Sequence, residues 1–152
     1  MRSPVVAAAL STYAAGNLEN HKPEEAAESL AAALSIREQA FGKDNIHLTP
    51  YMIQLGELYE QLGDYRSAKT LLTDASEILK SSADVDPSNI LRAERSLAEI
   101  ELKRGNYSTA AAAYDDLGPK VAAKFGRQHA NMALILNDSA VAHFATGDLD
   151  IA

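Results

Sequence analysis

LGELYEQLGDYRSA, which spans residues 55–68, holds two glycines, two tyrosines and a closing alanine. Its first part is rich in helix-forming residues, and Gly63 is followed directly by Asp64. Glycine readily adopts the left-handed conformation that ends a helix, and aspartate is a preferred N-cap for the helix that follows. The stretch therefore predicts two antiparallel helices that are joined by a turn of two or three residues.

The glycine turn recurs along the chain with a constant step of 42 residues, at Gly63, Gly105 and Gly147. Three further sets of residues recur with the same step of 42 residues. Two of these sets consist of small residues, and the third consists of larger side chains. A fixed period of this length is the sequence signature of a repeat architecture. The matching columns are Ala14, Gly56, Ala98 and Ala140; Ala26, Ala68, Ala110 and Ala152; and Leu30, Leu72 and Tyr114.

This register predicts a single array over residues 1–152, in which each repeat is one helical hairpin. A repeat cannot bury its apolar face alone, and the fourth repeat stops at Ala152, where its second helix begins. We therefore expect the chain to be a fragment of a longer protein. The predicted repeats are approximately 5–42, 43–84, 85–126 and an incomplete 127–152.

The first repeat departs from this pattern, because its helix-ending signal comes early, at Gly16-Asn17. Pro23 suits the first turn of the helix that follows, where its missing amide hydrogen costs nothing. Pro50 is equally well placed if its helix starts at Thr49. We expect a longer, irregular turn in the first repeat.

Composition limits the possible functions. Of the 152 residues, 47% are hydrophobic and 23% charged, which suits a folded core, and there is no cysteine. The formal net charge of -7 argues against nucleic acid as a partner. No apolar run reaches the length of a membrane span, so we expect no membrane as partner. We also expect no cofactor. The absence of cysteine fits a reducing compartment, and we expect an intracellular, cytoplasmic location.

The stretch at residues 55–68, with its glycine turn and its packing alanine, resembles the tetratricopeptide repeat. The 42-residue step, the link FGKDN and the segment LNDSAVAHFATGDLDIA at residues 136–152 are similar to the kinesin-light-chain type of this repeat. The resemblance implies an all-α fold: a right-handed superhelical solenoid of antiparallel hairpins, with about three and a half repeats. It also implies a non-enzymatic scaffold or adaptor that binds a peptide segment of a partner protein in its concave groove.

In that family the first helix of each repeat lines the groove, and the asparagine that corresponds to Asn137 holds an extended peptide. On the predicted helix around residues 90–103, polar residues three or four apart form one stripe. Arginine forks bind carboxylates well, which favours a peptide carboxylate or backbone as the ligand of this stripe. The alternative is that Arg95 and Glu99 simply pair along the helix. The groove candidates are Ile53, Glu57, Gln61, Arg92, Arg95, Glu99, Lys103, Asn137 and Val141.

Catalysis and metal binding find little support in the sequence. The four histidines show no i, i+4 pair of the kind that holds a metal on a helix. Carboxylate pairs such as Asp115 and Asp116 resemble solvated helix faces, and no nucleophile elbow or phosphate loop occurs. We therefore predict no enzyme, no catalytic residue and no metal site.

Two other functions stay open. Leu134 and Leu136 would lie exposed on the unfinished fourth repeat, which favours a homodimer through the C-terminal end. Alternatively, the array is a regulatory module of a larger multidomain protein whose effector domain lies beyond residue 152.

Overall fold

The computed structural model describes residues 4–82 and 86–147, and within these ranges the chain is all helical, as predicted. Seven α-helices and one short 3-10 helix follow one another without a strand in the described residues. The α-helices are α1 (Pro4–Glu19), α2 (Pro23–Phe41), α3 (Thr49–Gln61), α4 (Tyr65–Lys80), α5 (Pro87–Lys103), α6 (Tyr107–Phe125) and α7 (Ala130–Thr146), and the 3-10 helix is Ile46–Leu48.

The helices form two compact units, Met1–Asp84 and Val85–Ala152, which we call the first and the second unit. In the first unit α1 packs on α2, α3 packs on α4, and α2 also touches α3. In the second unit α6 packs against both α5 and α7. Successive helices are thus paired as hairpins, which is the arrangement predicted from the glycine turn.

Gly56 lies where α3 crosses α4. A Cβ atom at Gly56 would stand 2.7 Å from Leu72 Cγ and 3.4 Å from the carbonyl oxygen of Ala68. Because Leu72 and Ala68 are fully buried, neither can move aside freely. The absence of a side chain at residue 56 therefore sets how closely these two helices approach, as the sequence pattern indicates.

The turn after α3 has the predicted geometry. Gly63 takes the left-handed conformation with φ 80°. Asp64 then caps α4, since its side-chain oxygen accepts a hydrogen bond from the Ser67 amide at 3.1 Å. Gly105 repeats the left-handed turn with φ 79° between α5 and α6. These turns make the hairpins antiparallel.

The early turn expected at Gly16-Asn17 is wrong. Helix α1 continues through Gly16 to Glu19, and the left-handed residue is His21, with φ 56°. His21 stands one 42-residue period before Gly63, so the turn keeps the common register although its residue is not glycine. A single glycine inside a helix costs only about 1 kcal/mol, which the packing of α1 on α2 outweighs.

The links between repeats end in side-chain caps. Asn45 accepts a hydrogen bond from the His47 amide at 2.9 Å, and His129 Nδ1 accepts one from the Asn131 amide at 3.2 Å. Pro50 lies in the first turn of α3, the tolerated position that the sequence predicts. His129 thus has a structural role as the N-cap of α7.

Candidate functional site

Four of the predicted groove residues form one stripe along α5. Arg92 and Lys103 are exposed, and Arg95 and Glu99 are half-buried. Glu99 Oε1 lies 3.0 Å from Lys103 Nζ, so this carboxylate pairs with the lysine one turn later instead of with Arg95. The stripe carries three cations and one anion and therefore has a positive charge.

Arg95 is the cation of this stripe that has no ion pair within the described ranges. Arg95 is half-buried, and an arginine in such a position can pack its aliphatic stem while its guanidinium group stays hydrated. A planar guanidinium with unused donors is well suited to donate two parallel hydrogen bonds to a carboxylate. Arg95 is thus the residue of the stripe that is best prepared to bind an anion.

Asn137 and Val141 lie on α7, which touches α5 within the second unit. Both side chains are exposed, Val141 to 48%. Asn137 Nδ2 donates to Asp138 Oδ1 at 3.2 Å, and this contact does not use the amide oxygen of Asn137. The structure therefore brings six of the candidates onto two neighbouring helices.

The other three candidates lie on α3 in the first unit. Glu57 is half-buried and Gln61 is exposed, but Ile53 is 0% exposed. Helix α3 packs against both α2 and α4, which buries more of its circumference than the sequence pattern indicates. Ile53 therefore leaves the set of residues that a ligand can contact, whereas Glu57 and Gln61 remain predictions.

A polar cluster between α6 and α7 was not predicted. His143 Nε2 lies 3.1 and 3.2 Å from the two carboxylate oxygens of Asp115, and Ser139 Oγ donates to Asp115 Oδ1 at 3.4 Å. Asp115 is thus an inter-helix acceptor, not merely part of a solvated face. The signal in the sequence is that Ser139 and His143 replace the leucine and tyrosine of residues 55 and 59.

This cluster contains the residue types of a catalytic triad but not its geometry. In a triad the histidine accepts the proton of the serine, and the carboxylate orients the histidine. Here both Ser139 and His143 bind Asp115, so the serine has no base within this set of contacts. The arrangement joins two helices and does not activate a nucleophile.

Two other kinds of site, a membrane span and a metal centre, are absent from the described residues. None of the helices there has both the length and the apolar character that crossing a bilayer requires. Within the same ranges, no three histidine or carboxylate side chains converge as metal ligands would.

Comparison with known proteins points to one repeat family. The model of the tetratricopeptide repeat matches residues 5–81, just over half of the chain. Two crystal structures of a putative kinesin light chain from Podosopora anserina with nearly identical TPR-like repeats, one of them a point variant, superpose with TM-scores of 0.83 and 0.82. Each is 18% identical and covers 99% of this chain and 71% of that chain, which shows a common fold. No curated protein matches the sequence.

Proposed function

Since the chain belongs to the tetratricopeptide repeat family, whose helical hairpins are scaffolds for protein–protein interaction, we propose that it is a non-enzymatic adaptor. It binds a peptide segment of a partner protein along the first helices of its repeats. Tetratricopeptide folds are in general non-catalytic, which supports this assignment. The absence of cysteine agrees with the cytoplasmic location that we propose for it.

The polar stripe on α5, beside the exposed residues of α7, is the observation that carries this proposal. Arg92 and Arg95 offer guanidinium groups to a carboxylate of the ligand, and Asn137 offers an amide to its backbone. Val141 supplies an apolar contact next to these polar groups. The ligand that fits is an extended peptide with at least one acidic residue, at an affinity on the order of micromolar, or about -8 kcal/mol.

The test begins with an array of acidic and neutral peptides, and each peptide that binds is then titrated in solution. In the double variant Arg92→Glu/Arg95→Glu the stripe repels acidic peptides, so we expect affinity to fall about tenfold or more. The matched control is Lys69→Glu/Lys80→Glu on α4. It makes the same charge change on exposed residues that lie outside the stripe.

Circular dichroism of both double variants checks that the helices remain folded. If the two variants bind the selected peptides equally well, the stripe is not the binding surface. If only the α5 variant loses binding, and added salt weakens binding of the wild type, the assignment holds.

A second candidate function, self-association, is favoured by the apolar side chains that α7 exposes. Leu134 is 48% exposed, Leu136 57% and Phe144 74%. Exposed apolar patches of this kind mark interaction surfaces in soluble proteins. Sedimentation of the protein over a range of concentrations distinguishes the two candidates. A dimer that the substitution Phe144→Asp dissociates would favour self-association, and a monomer at all concentrations would exclude it.

A further inference from the structure

A cleft of about 390 Å³ opens between α2, α3 and α4 in the first unit, on helices that do not carry the α5 stripe. Leu34, Leu55, Tyr59 and Leu71 give it an apolar floor. Binding pockets for small ligand groups typically have volumes from about 300 Å³ upward and are lined mainly by apolar and aromatic side chains. The cleft has room for one large apolar side chain, and its lining suits one.

Opposite charges flank this floor. Glu38 of α2 and Arg66 of α4 both line the cleft, yet within the described residues neither forms an ion pair, so their charged atoms stand more than 4.0 Å from each other. Two opposite charges that share a cleft without contact can each bind a separate charged group of a ligand. A basic group fits beside Glu38, and an acidic group fits beside Arg66.

Polar groups at the edge of the cleft add hydrogen-bonding capacity. The Tyr59 phenol can donate a hydrogen bond, and burial and the charge of Asp64 both raise its pKa. Thr70 Oγ1 already donates to the carbonyl oxygen of Arg66 at 3.1 Å. Ser35 is exposed at the rim, where a peptide backbone would pass.

We propose that this cleft is a second peptide-binding site, which takes one leucine-sized apolar side chain flanked by a basic and an acidic residue of a partner. The apolar side chain fills the space above Leu34 and Leu55, and the two charges contact Glu38 and Arg66. The site lies wholly within the first unit. Its test is therefore independent of the stripe on α5. An experiment that contradicts one of the two binding sites leaves the other proposal intact.

The probes are two short synthetic peptides, acetylated and amidated, with the sequences lysine-glycine-leucine-glycine-glutamate and the reverse. They are titrated into isotopically labelled protein, and methyl signals of Leu34, Leu55 and Leu71 are followed by nuclear magnetic resonance. A contact of this size gives a dissociation constant on the order of 1 mM. We expect saturable shifts at the cleft for at least one order of charges, and a peptide with glycine in place of leucine binds about fivefold more weakly or worse.

Two pairs of variants locate the contact. Glu38→Gln/Arg66→Gln removes both cleft charges and is expected to weaken binding about fivefold. Glu28→Gln/Lys69→Gln removes the same charges from exposed positions of the same two helices and leaves binding unchanged. Ser35→Trp fills the cleft from its exposed rim and abolishes binding, whereas Gln39→Trp, also exposed on α2, does not.

Each possible result of these titrations either supports or overturns the proposal. Saturable shifts at the cleft that are lost in Ser35→Trp and weakened in Glu38→Gln/Arg66→Gln support the proposal. The proposal is overturned if no signal saturates, if both pairs of variants bind alike, or if the shifts lie on α5 and α7 instead. Because every substituted residue is on the surface or half-buried, the variants are expected to fold, and their amide spectra verify this.

Discussion

The same place in the repeat is a cleft in both units, but the side chains that line the two clefts differ. In the first unit it lies among α2, α3 and α4, and in the second unit a cleft of about 480 Å³ lies between α6 and α7. Five lining positions of the two clefts correspond at a distance of two periods. Ala31 corresponds to Asp115, Leu34 to Gly118, Ser35 to Pro119, Glu38 to Ala122 and Leu55 to Ser139.

The repeat register thus determines where a cleft forms, and the side chains determine which ligand it can bind. The first cleft has an apolar floor with charges at its edge. The second cleft has Ser139 where the first has Leu55. There Asp115 forms hydrogen bonds with Ser139 and His143 across the helix interface. A carboxylate that already has two partners is less available to a ligand. We therefore expect the first cleft to bind partners and the second mainly to hold α6 and α7 together.

The largest expected effect concerns how each unit spaces its helices. Gly56→Ala in the first unit places a methyl group 2.7 Å from Leu72 Cγ, and we expect a net loss of about 1–3 kcal/mol in the free energy of unfolding. In the second unit Ala98 occupies the repeat position of Gly56, and Tyr114 occupies that of Leu72. Both are buried in the same hydrophobic core cluster. Urea unfolding followed by circular dichroism gives the value.

Gly16→Ala is the matched control, because it also replaces a glycine inside a helix but meets no atom within 4 Å. Alanine forms helices better than glycine, so this variant should gain about 0.5–1 kcal/mol. Equal effects of the two substitutions would mean that Gly56 does not set the distance between α3 and α4.

The next effect tests the polar cluster of the second unit. Asp115→Ala removes the acceptor of His143 Nε2, and we expect a loss of about 1 kcal/mol, a modest value because Asp115 is half exposed. The triple variant Asp115→Ala/Ser139→Leu/His143→Tyr gives the second unit the residues of the first. Its stability should return to within about 0.5 kcal/mol of the wild type.

Unfolding curves of the single and triple variants decide this point. If the triple variant is less stable than Asp115→Ala alone, the two clefts are not interchangeable in packing, and the comparison between the units fails. His143→Tyr alone serves as the control, since it introduces the tyrosine without removing Asp115.

The sequence predicts the parts of the fold that depend on local rules. The left-handed turn at Gly63, the cap at Asp64 and the close approach at Gly56 all follow from the conformational freedom or hydrogen-bonding capacity of single residues. Because the same residues carried the resemblance to the tetratricopeptide repeat, the family match confirms that resemblance as well. The 42-residue register also predicts a turn at His21, one period before Gly63. The prediction from Gly16 placed the turn too early.

What the sequence did not predict depends on contacts between distant residues. Ile53 is buried because α3 packs against one helix on each of two sides. The spacing of apolar residues along the sequence indicates only one buried side. Asp115 and His143 lie 28 residues apart on different helices, so neither suggests the other as a partner. Glu38 and Arg66 likewise meet at one cleft only after α2 and α4 are placed. The binding residues of the α5 stripe remain predictions for the same reason.

A smaller effect compares the turns. His21 adopts the left-handed conformation that Gly63 and Gly105 adopt without strain. A residue with a Cβ atom is disfavoured there by about 1 kcal/mol, so His21→Gly should raise the free energy of unfolding by about 0.5–1 kcal/mol. Gly63→His should lower it by a similar amount. Thermal unfolding of both variants measures the pair, and a loss of stability in His21→Gly would show that this side chain has another structural role.

The smallest effect concerns the two aspartate caps, Asp64 in the first unit and Asp86 in the second. Asp86 accepts from the Ser88 amide at 3.1 Å, and its carboxylate lies 2.9 Å from Lys124 Nζ. The contact with Lys124, together with the bonds from Ser88, lowers the pKa of Asp86 from 3.8 to about 2. The Ser67 hydrogen bonds also lower the pKa of Asp64, and the charge of Arg66 lowers it further.

A pKa that is lower in the folded state means that folding favours the charged carboxylate. The stabilisation is therefore fully present above about pH 4, where the unfolded group is also charged, and is lost as the pH falls towards 2. Asparagine is a good cap but carries no charge, so Asp86→Asn should lower Tm slightly at pH 6, and its difference from the wild type should vanish near pH 2.

Asp64→Asn should show the same trend with a smaller amplitude, and Lys124→Met should reproduce the behaviour of Asp86→Asn. Thermal unfolding in steps between pH 6 and pH 2 at low salt measures all three variants, since salt screens exposed pairs. If Asp64→Asn and Asp86→Asn change Tm equally at every pH, Lys124 contributes nothing to the start of α5. The two units would then begin these helices in the same way, and the difference between them would be confined to their clefts.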